Sequence, residues 1–123
     1  MGGGNHLRGR HILVVEDEAA IAIDLAQLLR NHGATIVGPV TTVSDALRSI
    51  AESRLDCAVL DINLGGEHVR AVAEALESAG VPFMFVTGYS SDRVPAPYRS
   101  RPVLEKPYEA SRLLDALATV VGK

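Results

Sequence analysis

Short runs of almost continuously apolar residues alternate along the chain with longer stretches in which apolar residues recur every three or four positions. The first residues of successive runs lie 24, 22, 26 and 20 positions apart. Apolar runs without alternation are typical of strands that are covered on both faces in a parallel sheet. The pattern therefore predicts five buried parallel strands. The runs are His11–Val15, Thr35–Val37, Cys57–Leu60, Phe83–Val86 and Val103–Glu105.

The stretches that follow these runs have the spacing of amphipathic helices. Thr42 is suited to begin the second helix, and Gly33 and Gly80 are suited to end the first and the third. Strands that alternate with helices form parallel units with right-handed crossovers. We therefore predict an α/β fold, a doubly wound, flavodoxin-like sheet of five parallel strands in the order 2-1-3-4-5. The apolar positions that share a helix face are Ile21, Leu25, Leu28 and Leu29; Val43, Ala46, Leu47 and Ile50; Val69, Val72, Ala73 and Leu76; and Leu113, Leu114, Leu117, Val120 and Val121.

The connection between the fourth and fifth strands departs from this pattern. It contains Pro95 and Pro97, and Val94 is its only large aliphatic residue. A proline inside a helix costs about 3 kcal/mol, and almost no apolar face is present here to offset that cost. The sequence therefore predicts a shortened or disordered fourth helix of at most one turn, begun by Ser90 or Ser91.

Length and composition fit one globular domain. The chain has 123 residues, a net charge of -3 and 47% hydrophobic residues. The Gly-rich residues 1–10 lack apolar periodicity, so we expect a flexible leader there and a domain over residues 11–123. Cys57 is the single cysteine, which excludes an intramolecular disulfide and a cysteine-rich metal site. The charge balance and the lack of a signal peptide or long apolar segment predict a cytoplasmic protein that binds neither nucleic acid nor membrane directly.

Chemically versatile side chains follow four of the predicted strands. Because the carboxyl ends of parallel strands meet at one edge of a doubly wound sheet, these side chains are expected to face one crevice. Three carboxylates in one crevice need a counter-charge, which a lysine and a hard divalent cation such as Mg²⁺ would supply. Since Mg²⁺ is commonly bound by carboxylates together with a phosphate oxygen, the crevice is suited to a phosphoryl group, with Asp61 as the nucleophile. The converging residues are Glu16, Asp17, Asp61, Thr87 and Lys106.

The sequence resembles the receiver domains of bacterial two-component response regulators. The resemblance rests on the acidic pair Glu16-Asp17, on Asp61, on Thr87 and on the pair Lys106-Pro107 at these spacings. The resemblance covers nearly the whole chain. It implies that Glu16 and Asp17 hold Mg²⁺, directly or through water, together with Asp61 and the backbone carbonyl of Asn63.

The same resemblance implies the phosphoryl chemistry of the site. Asp61 would accept the phosphoryl group from the phosphohistidine of a sensor histidine kinase or a phosphotransfer protein, while Thr87 and Lys106 would bind phosphoryl oxygens. The peptide bond between Lys106 and Pro107 would be cis, as is usual in receivers.

Two longer motifs narrow the resemblance to one subfamily of receiver domains. Phe83–Tyr89 reads FMFVTGY and Asp61–Glu67 reads DINLGGE, and both are similar to segments of the FAT GUY receivers. That subfamily often consists of single-domain regulators from alphaproteobacteria, paired with HWE-type or related kinases and with general stress signalling. The resemblance therefore implies an HWE-type or related kinase as the partner.

One strand position departs from the general receiver pattern. Val103 stands where most receivers carry Tyr or Phe, three residues before the lysine, so the usual coupling of threonine to that aromatic side chain cannot operate here. We expect phosphorylation to order residues 89–101 instead, with Tyr89, two residues beyond Thr87, as the first group to move. Gly88, Val103 and Pro107 are expected to modulate this switch. For Tyr98 two interpretations stay open: it packs this segment against the domain, or it lies exposed on a partner-binding face.

The function expected from the sequence is that of a phosphoacceptor response regulator. With no output domain in the sequence, it would act by contact with a downstream protein, or as a phosphorelay component or phosphate sink. It would be no enzyme beyond Mg²⁺-dependent self-phosphorylation and self-dephosphorylation. A nucleotide-binding enzyme would need GxxxxGK[ST] or GxGxxG, and a dehalogenase-type phosphatase would need a second acid where Asn63 stands. The strongest alternative is a phosphorylation-independent pseudo-receiver that serves only as a binding module.

Overall fold

The computed structural model describes residues 7–64, 67–88, 94, 96–98 and 100–121. Five strands form one parallel sheet in the predicted order β2-β1-β3-β4-β5. The strands are β1 (His11–Val15), β2 (Thr35–Val40), β3 (Cys57–Asp61), β4 (Phe83–Thr87) and β5 (Val103–Glu105). The helices are α1 (Ala19–Asn31), α2 (Val43–Glu52), α3 (Arg70–Ala79) and α4 (Ala110–Val121). The α/β, doubly wound fold is confirmed.

The sheet separates two apolar cores, as continuous apolar strands require. One core places residues of α2 and α3 against every second residue of the strands, including Leu13, Leu60 and Phe85. The other places α1 and α4 against the alternate residues, including Val14 and Val59. Because both faces are covered, the carboxyl edge of the sheet is where polar side chains can gather.

Helix ends follow the local signals in the sequence. Thr42 begins α2, and its side-chain oxygen accepts a hydrogen bond from the Asp45 backbone N–H at 3.1 Å. Gly80 ends α3 with a φ of 73°, a left-handed conformation that glycine adopts without strain. One apolar position was assigned wrongly, since Leu47 is 37% exposed. It lies on α2, which packs near the half-exposed edge strand β2, where fewer neighbours are available to cover it.

Strand β2 is longer than the three residues that the sequence indicated. It continues through Gly38 and Pro39, whose peptide bond is cis, and ends at Val40. An edge strand tolerates proline because its outer side lacks ladder partners. The Val40 carbonyl accepts a hydrogen bond from the Glu16 N–H at 3.0 Å, so this extension helps to position the end of β1.

Residues 7–10 are part of the folded domain, which corrects the predicted boundary at residue 11. Leu7 is buried in the core beneath α1 and α4. The Gly9 N–H donates to the Gly33 carbonyl at 2.9 Å, and the Arg10 carbonyl accepts from the Thr35 N–H at 2.8 Å. A single apolar anchor in a Gly-rich segment has no periodicity, so the sequence pattern could not reveal it. The rest of the expected leader, residues 1–6, lies outside the described residues.

The fourth crossover contains a single 3-10 turn, Ala96–Tyr98, among its described residues. This agrees with the prediction of at most one turn, while Ser90 and Ser91 lie outside the described residues. The choice left open for Tyr98 is decided, because its side chain is only 8% exposed and belongs to the core.

Candidate functional site

Side chains at or directly after the ends of three strands meet at the carboxyl edge of the sheet. Lys106 places its Nζ 2.8 Å from Oε1 of Glu16 and 3.3 Å from Oδ2 of Asp61. Glu16 is fully buried and Asp61 is almost fully buried, whereas Lys106 reaches the surface. The predicted convergence of these residues is therefore present in the structure, although 90 positions separate Glu16 from Lys106.

Backbone pairing explains how residues so distant in sequence reach one place. Asp61 ends β3 in register with Val86 of β4, and Thr87 is the next residue of β4. The Lys106 N–H donates to the Thr87 carbonyl at 2.7 Å, which carries the lysine to the same edge. Thr87 is fully buried there. The strand register, rather than any loop, thus determines the relative positions of these groups.

Burial strongly affects the acid–base character of Glu16. Its removal from solvent, reinforced by the neighbouring Asp61 carboxyl, raises the pKa of Glu16 to about 7. Hydrogen bonds from Lys106 and from the Glu18 N–H, at 3.2 Å, act in the opposite direction. For Lys106, burial lowers the pKa, but the hydrogen bond to Glu16 and the charge of Asp61 outweigh it and the pKa is raised. Lys106 therefore remains a positive charge between two carboxyl groups.

An acidic trio borders this cluster. The carboxyl oxygens of Glu16, Asp17 and Glu18 lie within 4.8 Å of one another, with Glu16 buried, Asp17 half-buried and Glu18 exposed. Carboxylate oxygens without thiol or imidazole ligands form a donor set that suits Mg²⁺. The residues fit the metal that the sequence predicted. Glu18 is an addition to the residues that the sequence assigned to the metal.

The remaining predicted residues occupy a wider area around the site. Asn63 lies in a two-residue strand that pairs antiparallel with Glu67–His68, directly after β3. Gly88 directly follows β4, and a side chain there would meet open space. Pro107 is exposed, and its peptide bond with Lys106 is cis as predicted. Val103 is half-buried on β5, and Tyr89 lies outside the described residues.

Tyr108 is a neighbour of the site that the sequence analysis missed. Its half-buried ring packs against the core beneath α4. Burial raises the pKa of Tyr108, and the charges of Lys106, Glu16 and Asp61 all act on its hydroxyl group. Its position directly after the Lys106-Pro107 pair was the sequence signal that could have placed Tyr108 near the site.

A family profile described as the response regulator receiver domain matches residues 12–118. The chain belongs to this family. Receiver domains interact with histidine kinases or other proteins and generally use Mg²⁺ at an acidic site, and this receiver has a cluster of acidic residues.

Individual relatives support the narrower resemblance. The solution structure of SdrG from Sphingomonas melonis Fr1 is 42% identical, with a TM-score of 0.81 over 98% of this chain and 99% of that one. The BeF3-activated conformation of SdrG from Pseudomonas melonis Fr1 is 45% identical, with a TM-score of 0.74 over 88% and 95% of the two chains. The phyllosphere-induced regulator PhyR of Methylorubrum extorquens is 36% identical over 81 residues, which are 63% of this receiver and 30% of PhyR. The likeness to SdrG and PhyR agrees with membership of the FAT GUY-like receivers.

The receiver spans only part of the curated relatives that it matches. The matched share is 30% of PhyR and 58% of the regulator PdtaR of Mycobacterium tuberculosis. Within the described ranges, no helix is both long enough and apolar enough to span a bilayer.

Proposed function

We propose that this receiver accepts a phosphoryl group on Asp61 in a Mg²⁺-dependent reaction. The observation that carries the proposal is the Lys106 ammonium, which contacts both Glu16 and Asp61 at the edge of the sheet next to the acidic trio. A nucleophilic carboxylate, a fixed cation and a set of hard oxygen ligands are what phosphoryl transfer requires.

In the proposed reaction an Asp61 carboxylate oxygen forms a bond to phosphorus. The bond from phosphorus to the imidazole nitrogen of the donor breaks, and the imidazole keeps that electron pair. Lys106 balances the charge that develops on the phosphoryl oxygens, and the Thr87 hydroxyl donates a hydrogen bond to one of them. Mg²⁺, held by Glu16 and Asp17 with Asp61 and the Asn63 carbonyl, would supply further positive charge.

The proposal also names the source of the phosphoryl group and what the phosphorylated receiver would do. A sensor histidine kinase of the HWE type, or a phosphotransfer protein, would supply the phosphoryl group. The phosphorylated receiver would then contact a downstream protein or pass the phosphoryl group on, and hydrolysis would return the Asp61 carboxylate and inorganic phosphate. Catalysis would extend no further than this self-phosphorylation and self-dephosphorylation. The existence of a BeF3-activated conformation of SdrG supports the proposal, because beryllofluoride mimics a phosphoryl group.

Incubation with acetyl phosphate and Mg²⁺, followed by intact-protein mass spectrometry, tests the proposal. One phosphoryl group should appear on the wild-type protein and none on Asp61→Asn. Asp115→Asn, which removes an exposed carboxylate from α4, serves as the matched control and should be labelled like the wild type. An unlabelled wild-type protein would instead favour the phosphorylation-independent pseudo-receiver.

A further inference from the structure

Alternate residues of β4 form a line along one face of the strand that ends at Thr87. Residues two apart on a strand face the same side, so Phe83, Phe85 and Thr87 share one face. Phe83 and Phe85 belong to the core on the α2 and α3 side, and their rings meet edge to face with centroids 5.6 Å apart. Thr87 therefore continues, along one face of β4, the line of a packed aromatic pair.

The Tyr98 ring packs against both phenylalanine rings of this pair. Its ring centroid is 5.6 Å from that of Phe83 and 6.5 Å from that of Phe85, at interplanar angles of 63° and 51°. Because Tyr98 belongs to the crossover and not to the sheet, this contact attaches the crossover to β4. Val94, also from the crossover, is buried in the same core.

Arg101 also contacts the Phe83 ring and links it to α3. Its guanidinium lies 4.4 Å from the Phe83 ring centroid and forms an ion pair with Glu77 of α3. The Arg101 N–H donates to the Tyr98 carbonyl at 3.0 Å. The turn from Tyr98 to Arg101 therefore contacts Phe83 at both of its ends.

Val103 borders the same core as the Tyr98 ring. It pairs with Phe85 in the β4–β5 register, so the two side chains lie on the same face of the sheet. Val103 packs against the core that contains Tyr98 and is half-buried there. A larger side chain at this position would compete with the Tyr98 ring for the same space.

We propose that Tyr98 is the positioning residue that couples the fourth crossover to Thr87, through its contact with the Phe85 and Phe83 rings. The inference rests on the proposed function, because phosphorylation of Asp61 is what would displace Thr87. The aromatic group that responds to the phosphoryl site is then carried by the crossover, and the small Val103 permits it to occupy the core.

Two NMR readouts test the coupling. Fluorotyrosine labelling gives three signals, from Tyr89, Tyr98 and Tyr108, which single Tyr→Phe variants assign. Threonine methyl labelling reports Thr87. Adding beryllofluoride and Mg²⁺ to the wild-type protein should shift both the Tyr98 and the Thr87 signals. Val103→Phe should displace the Tyr98 signal before any addition and abolish its response, while Asp61 is still labelled by acetyl phosphate.

The controls separate coupling from simple loss of packing. Leu47→Ala removes an exposed side chain on α2 and should leave both responses unchanged. Adding Tyr98→Ala to Val103→Phe should return the Thr87 methyl signal toward its wild-type position, because the introduced ring fills the vacated space. A Tyr98 signal that stays fixed while Asp61 is labelled would overturn the coupling.

Failure of the proposed function gives a different result. If wild-type Asp61 takes no label, phosphorylation is wrong, but Val103→Phe and Tyr98→Leu must still move the Thr87 methyl signal. If they leave it unmoved, the coupling is wrong as well.

Discussion

Lys106 holds its Nζ 2.8 Å from Oε1 of Glu16, a carboxyl group without exposed surface, and the same ammonium reaches Asp61. One cation therefore compensates two buried acids. Removing one partner of such a cluster leaves an uncompensated charge in a site of low dielectric constant.

Replacing Lys106 by Ala should reduce the free energy of unfolding by about 2 to 3 kcal/mol when no Mg²⁺ is present. Added Mg²⁺ should recover part of this loss, because a bound cation supplies the missing positive charge. Urea unfolding with and without Mg²⁺ measures both quantities. The exposed Arg112→Ala on α4 provides the control for loss of a surface cation. An equal loss with and without Mg²⁺ would indicate that only packing had been removed.

Mg²⁺ alone should stabilise the wild-type protein, because it relieves repulsion among the acidic residues. At a concentration ten times the dissociation constant the gain is about 1.4 kcal/mol, which corresponds to a rise in Tm of roughly 4 to 6 °C. Asp17→Asn should reduce this rise, and Asp115→Asn should not. Thermal unfolding followed by circular dichroism provides the measurement, and an unchanged Mg²⁺ response in Asp17→Asn would remove Asp17 from the metal site.

Asp56 should make the stability of the domain depend on pH. The His11 N–H donates to its Oδ2 at 2.7 Å, and this hydrogen bond, with the charges of Arg54 and Arg10, holds the pKa of Asp56 below its ordinary value of 3.8. A lowered pKa in the folded state stabilises the protein above the pKa of the unfolded state, and that contribution disappears as pH falls through the folded-state pKa.

The free energy of unfolding of the wild type should therefore exceed that of Asp56→Asn at neutral pH. The difference should shrink as the pH is lowered beneath 3.8, where Asp56 becomes neutral as well. Urea unfolding over a series of pH values provides the test. A difference that stays constant down to the acid limit would contradict the assignment.

Leu7 should contribute to stability as a core residue. Leu7→Ala should destabilise the domain by about 2 to 4 kcal/mol, because it leaves a cavity beneath α1 and α4. Arg8→Ala, at the adjacent exposed position, should change stability little. If the two variants are equally stable in urea, residues 7–10 do not belong to the folded core, and the flexible leader that the sequence pattern indicated is correct.

Much of the fold was determined by local features of the sequence. The runs at His11–Val15 and Val103–Glu105 became strands with the predicted bounds. The first is almost wholly buried, as a run without alternation predicts, whereas the second is the last strand of the sheet and is only half-buried. Thr42 and Gly80 acted as helix ends through short-range hydrogen bonds and a left-handed conformation. The strand order was predicted from the doubly wound, flavodoxin-like class, and it was enough to predict that Glu16, Asp61 and Lys106 would meet.

Only the tertiary structure decided which side chains are buried where the local pattern is weak or ambiguous. Leu7 belongs to the core despite its Gly-rich surroundings, and Leu47 is exposed despite its helical spacing. Tyr98 packs against Phe83 and Phe85 although the proline-rich segment that carries it has no helical pattern. Periodicity reports which face of an element is apolar, whereas burial depends on neighbours that are distant in sequence. The sequence alone thus determined the elements and the chemistry at the ends of the strands, and the packing between elements determined how the crossover is attached.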